Sequence, residues 1–303
     1  MLIIIIKTIF QSLSYIMEIS MTYSTEIDTI SIQVNCSSLE EQQGISFMIA
    51  RAIGEYNKVC IKDNIFTKKR EILFNNNRLG IIRIGMNPIL NKFTRQYDTN
   101  YYVAVSFAGL KSYIGILDNL SKGCLFATCG ILNTFNIDYM FTELDVCLDI
   151  SAKIDNVLAI CTTKLPRTEY HQANHSFYKG ETVYIEKIST DRINYNSQRA
   201  YVYNKSKKEK LLLSITRFEL KLQKLFFLNN DLNFSMIINA LDRYTVMYFQ
   251  NINEKNMIVD RYNSYSRVSK RDIYRMGLDK YRLKPDVVKI ERFINNLKSH
   301  KLY

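Results

Sequence analysis

Apolar and polar residues alternate with a period of two in three stretches, and these predict the strands that carry the chain's chemistry. In residues 142–150 (TELDVCLDI), Leu144, Val146, Leu148 and Ile150 form one row, and Glu143, Asp145, Cys147 and Asp149 the other. Residues 199–224 predict two strands around a basic turn. Tyr201, Tyr203 and Lys205 share a face in the first, opposite Ala200 and Val202. Arg217, Glu219 and Lys221 share a face in the second, opposite Phe218, Leu220 and Leu222. In each strand the apolar row is expected on a core and the polar row exposed. Ser206–Lys210 is too polar to bury and reads as the loop between them.

Elsewhere the period changes. Residues 24–34 alternate as a strand, and Ser38 with Glu41 forms a capping box ahead of a helix whose apolar face is Ile45, Met48, Ile49, Ala52, Ile53 and Tyr56. Residues 58–93 read as short strands and turns, with Asn75-Asn76-Asn77 a turn, and 101–107 as a strand closed by Gly109. Residues 110–135 fit helix and strand equally. Residues 154–162 fit a strand or helix, 164–180 a loop, and 181–187 a strand. A helix is expected over 231–249 and another over 269–276. Pro285 is expected at the first position of a last helix, with Val287, Ile290, Ile294 and Leu297 on one side. An αβ half followed by a β-rich half ending in helices is an α+β architecture. The expected divisions are an N-terminal extension (1–21), an α+β half (22–135), a catalytic-type α+β half (136–250) and a basic helical region (251–303).

The chain has 303 residues and a formal net charge of +12. That charge lies in two segments, +6 over 196–224 and +7 over 251–303, which leaves −1 for the remainder. Two basic segments in a neutral body point to a polyanion, with nucleic acid foremost. The six cysteines are scattered and contain no C-x-x-C pair, which argues against a zinc site and for free thiols in a reducing compartment, hence the cytoplasm. The first seventeen residues hold an apolar run broken by Lys7, short for a membrane span and lacking a preceding basic segment. With Met17 and Met21 as later starts, this stretch reads as an upstream extension of the reading frame or a disordered or loosely docked tail, and a membrane partner is not expected.

Three features bear on chemistry: Asp145 and Asp149 on one strand, Tyr203-Asn204-Lys205 on another, and Arg217-Phe218-Glu219 on a third. Residues four apart on a strand are roughly 13 Å apart, so Asp145 and Asp149 cannot share one ion directly. Glu143 with Asp145 can, and either aspartate can share an ion with Glu219 if their strands are neighbours. Mg²⁺ and Mn²⁺ take such oxygen ligands, and Lys205, Arg217 and Lys221 would then meet phosphates beside the metal. His171 and His175, in H-Q-A-N-H, read as surface loop.

The order E-L-D-V-x-x-D, Y-N-K, R-F-E-L resembles the replication initiation factor family of rolling-circle plasmid and phage initiators, most strongly over 138–223. That resemblance implies two related β-sheet halves with helices on one side. It implies metal-dependent nicking of origin DNA by a tyrosine, through a covalent 5′-phosphotyrosine, followed by rejoining. It puts Asp145 and Glu219 at acidic active-site positions and Lys205 and Arg217 at basic ones; beside these, Asp149 is a further candidate for the metal and Lys221 for DNA. It also implies origin DNA with an inverted repeat, a host helicase and a second copy of the chain as partners. The sequence departs from the family where the nucleophile is expected, since Lys224–Leu228 contains no tyrosine. Tyr244, which follows Asp242-Arg243, and Tyr203 are the candidates. The alternative is a catalytically inactive DNA-binding protein on the same scaffold.

Overall fold

The computed structural model describes residues 22–302 except 65–67, 91–94, 96, 112, 114, 163–169, 176–179, 186–197, 229–233 and 265–268. The expected N-terminal extension therefore lies outside the described residues. Strand β1 (Tyr23–Cys36) leads into helix α1 (Leu39–Asn57), then β2 (Cys60–Asn64), β3 (Lys69–Phe74), β4 (Asn77–Leu90) and β5 (Tyr97–Ala108). Ser38 caps α1 by accepting from the Glu41 N–H at 3.1 Å, while the Glu41 carboxylate reaches back to Ser37 instead. Residues 110–135, which fitted two readings, form helix α2 (Ile116–Thr134).

The second half opens with β6 (Met140–Ile150). After a 3₁₀ turn come β7 (Val157–Cys161), β8 (Tyr170–His175), β9 (Gly180–Ile185), β10 (Gln198–Asn204), helix α3 (Lys205–Glu209) and β11 (Thr216–Gln223). His171 and His175 thus lie on a strand, not in a loop, and four-residue spacing there separates them by roughly 13 Å. The expected basic loop is in part a helix, because the Asn204 side chain accepts from Lys207 N and starts a turn.

Helices α4 (Lys224–Leu228) and α5 (Phe234–Leu241) precede β12 (Tyr244–Tyr248). The single helix expected over 231–249 is therefore a helix and a strand. The chain closes with α6 (Ile252–Ser264), α7 (Lys270–Arg275), β13 (Arg282–Leu283) and α8 (Val287–Ser299). Asp286, not Pro285, borders α8, with its carboxylate accepting from Lys289 N at 3.0 Å.

Ten strands form one antiparallel sheet in the order β2-β3-β4-β5-β1-β6-β11-β10-β9-β8. Each half places its first strand, β1 or β6, at the centre. Its last strand, β5 or β11, pairs with that first strand, and the others run outward in reverse order. The fold is α+β, as expected, with halves of related topology joined through the β1·β6 pair. One face of the sheet is apolar. Ile30, Ile32, Val105, Leu144, Val146, Phe218 and Leu220 are buried there with Ile49 and Ile53 of α1, Leu125 of α2 and Ile290 and Ile294 of α8. A smaller sheet, β13-β12-β7, packs beside it.

The cysteines are free, five of them buried. None of the described helices is long and apolar enough to cross a membrane.

Candidate functional site

The site forms on the other face of the central strands, and register assembles it. β11 pairs with β6 so that Arg217 faces Asp149, Glu219 faces Cys147 and Lys221 faces Asp145. β10 pairs with β11 so that Tyr201 faces Glu219 and Tyr203 faces Arg217. Opposite charges directly across strands stabilise an antiparallel pair. The polar row expected to be exposed is in fact buried: Asp145, Asp149, Arg217 and Glu219 are each 4 % exposed or less.

Arg217 is the post of this arrangement. Its guanidinium grips Asp149 at 2.5 and 2.8 Å, pairs with Asp28 at 2.9 Å, and donates to the Lys111 carbonyl at 3.0 Å. Tyr113 donates to Asp149 at 2.5 Å. Asp28 reaches this face because β1 carries a bulge against β6, where the register jumps between Ile27 and Thr29. Gly109, at φ 75, turns the chain after β5 so that the Leu110 N–H reaches the Asp28 carbonyl at 2.8 Å. Arg217, expected to contact DNA, is fully enclosed and its charge is spent on two carboxylates. Asp149, expected to hold a metal, has its oxygens engaged by Arg217 and Tyr113.

Asp145 and Glu219 are placed differently. They lie one diagonal apart on adjacent strands and line one cavity of about 550 Å³. Lys221 donates to Asp145 Oδ2 at 3.2 Å and also holds Glu143, while Asp145 Oδ1 is buried without a partner. Burial, and then the neighbouring charge of Glu219, hold the Asp145 carboxyl well above the usual carboxylate range, with Lys221 opposing. Burial works against the Lys221 charge, but Asp145 and Glu143 outweigh it and raise its pKa. Tyr201 and Tyr203 both donate to Glu219, Tyr203 at 3.0 Å. Burial and then the Glu219 charge raise the pKa of both phenols.

The cavity is a trough that crosses six strands, from β4 through the centre to β10, roughly 24 Å at the usual strand spacing. Arg78 and Arg83 of β4 stand at one end, and Lys205 and Lys208 of α3 at the other. Lys205, only 2 % exposed, pairs with Glu209 at 3.0 Å. Among the candidate tyrosines, Tyr203 is on the site and Tyr244 is not. Tyr244 packs on the apolar side against Phe218, with ring centroids 5.8 Å apart, and the sheet separates it from Glu219.

Among the described residues, no three His, Cys, Asp or Glu side chains are grouped as a metal cluster. Asp145 nevertheless offers one orphaned buried oxygen to a hard divalent ion that takes oxygen ligands and keeps several waters, and Glu219 would join it by releasing one of the tyrosines on its oxygens. Asp28, Lys111 and Tyr113 were not foreseen. For Asp28 the signal was available, since the apolar positions of β1 skip two residues, Asp28 and Thr29, between Ile27 and Ile30 where strict alternation skips one. For Lys111 and Tyr113 there was none.

These features define an antiparallel α+β protein with two halves of related topology and a buried pair of carboxylates on β6 and β11 of the second half. No protein-family model matches the chain, and no curated protein does. Among solved structures it is similar to a rolling circle replication initiator protein from Geobacillus stearothermophilus, at 11% identity and a TM-score of 0.41, covering 93% of this chain and 99% of that one.

Proposed function

We propose that the protein is a rolling-circle-type replication initiator that nicks and rejoins DNA in the central trough. The observation that carries this reading is Asp145, buried with one oxygen unpartnered and paired through space with Glu219. Asp145 and Glu219 would hold Mg²⁺ or Mn²⁺, which when bound polarises the scissile phosphate. Lys208 at one end and Arg78 and Arg83 at the other supply cations for a phosphodiester strand laid across the sheet, above Lys205 and Lys221, which pair with carboxylates. Tyr203, or Tyr201 beside it, attacks phosphorus. Its proton passes to Glu219, which each hydroxyl already contacts. The bond from phosphorus to the 3′ oxygen breaks, the 3′ oxygen takes a proton from solvent, and a 5′-phosphotyrosine remains. Rejoining is the reverse.

One observation favours a second reading, a DNA-binding protein that does not cleave. Burial and the Glu219 charge both oppose a phenolate at Tyr201 and Tyr203. Incubating the full chain with supercoiled DNA that carries the gene's flanking sequence, in Mn²⁺, decides between the two. The first reading expects nicked circles with protein on the 5′ end. Salt-sensitive binding without an adduct supports the second.

A further inference from the structure

The turn that joins α3 to β11 shows two leucines side by side to solvent, Leu212 fully exposed and Leu213 70 % exposed. Scattered exposed leucines are ordinary, but this turn is built to hold its pair outward. Leu211 N donates to Ser206 O at 2.9 Å, and Ile215 N donates to Ser206 Oγ at 2.5 Å. Ser206 Oγ in turn donates to the Leu213 carbonyl, and Lys205 N donates to Ile215 O at 2.9 Å. Lys210 is left-handed at φ 56, which reverses the chain just before the leucines, and Ile215 just after them is buried. The backbone is thus tied at both ends while the two apolar side chains stay out.

The setting indicates what they meet. Lys207 and Lys210 are exposed beside them, and Lys208 lines the trough from the same short helix. Apolar side chains flanked by cations, on the turn that leaves a helix lining the trough, match the chemistry of a wedge that enters between base steps while lysines hold the flanking phosphates. We propose that Leu212 and Leu213 insert into duplex DNA at the edge of the trough and unstack a base step, so that a separated strand can enter it. This rests on the reading of the trough as a DNA site.

The test uses the full chain and a forked duplex carrying 2-aminopurine at the junction, with binding followed by anisotropy and unstacking by 2-aminopurine fluorescence. The wild type should bind and brighten the probe. Leu212→Ser with Leu213→Ser, both on the surface, should bind within about threefold, because phosphate contacts persist, yet lose most of the brightening, about fivefold or more. Leu212→Met with Leu213→Met should restore it. If the serine variant binds and unstacks as the wild type does, the wedge is overturned while the trough reading stands. If the wild type does not bind the fork, the trough reading fails and the wedge with it. If phosphatidylglycerol vesicles sediment with the wild type but not the serine variant, and unstacking is equal in both, the turn serves a membrane and the proposal is wrong.

Discussion

On the two central strands of the first half, β1 and β5, the face turned to the trough carries Thr29, Ser31, Ser106 and Ala108, with Asp28 at the bulge; in the second half it carries Glu143, Asp145, Asp149, Arg217, Glu219 and Lys221. Ser31 donates to Ser106 across β1 and β5 at 2.9 Å, whereas Lys221 donates to Asp145 across β11 and β6 at 3.2 Å. The strand order is repeated and the chemistry is not. The small neutral side chains of β1 and β5 bring no charge except Asp28 toward the carboxylates and cations of β6 and β11. Buried charges act strongly on one another, so the Glu219 charge helps to raise the Asp145 carboxyl and Arg217 is held by two counter-ions.

The largest expected effect breaks the charged half at its post. Arg217→Met leaves Asp28 and Asp149 buried without their cation and should cost about 3–5 kcal/mol of stability in a urea titration. Next, Glu219→Gln should lower the nicking rate by at least about a hundredfold while DNA affinity holds, measured as adduct formation against anisotropy. Equal loss of both would make Glu219 a structural residue. Asp145 sets a pH dependence. Its pKa is raised in the folded state, so the native protein keeps a proton that the unfolded chain gives up. That contribution is complete below the unfolded value, about pH 4, and declines as pH rises through the folded value. Asp145→Asn should therefore be more stable than wild type at neutral pH and flatter in a denaturation series across pH. The smallest effect belongs to the small neutral residues of β1 and β5. Ser106→Ala should cost about 1 kcal/mol and leave nicking unchanged.

Much of this contrast was legible in the alternation of residues 142–150 and 214–222, because a period of two sorts side chains by face whatever the tertiary structure. The same period does not say whether a face is covered. Asp145, Arg217 and Glu219 read as exposed because their surroundings come from other segments: Asp28, Lys111 and Tyr113 around Arg217 and Asp149, and Tyr201 and Tyr203 on Glu219. Arg217 and Asp149 were expected at phosphate and metal for the same reason, and their mutual grip became visible only with the register. Tyr244 was misplaced because helix α5 and strand β12 follow each other with two residues between them, and their apolar residues run together. Helix α2 was unreadable because it is apolar on most of its circumference, with Cys124, Leu125, Ala127, Thr128, Cys129 and Leu132 all buried. The two exposed leucines were in plain view, but only the turn that holds them outward makes them unusual.

The account stands on Asp145 and Glu219 serving one cation from two strands. Titrating the protein with Mn²⁺ and following free Mn²⁺ by electron paramagnetic resonance tests this without requiring a DNA substrate. Uptake of about one ion per chain, lost in both Asp145→Asn and Glu219→Gln and kept in Ser106→Ala, is the predicted result. No uptake, or uptake that neither substitution disturbs, would contradict it.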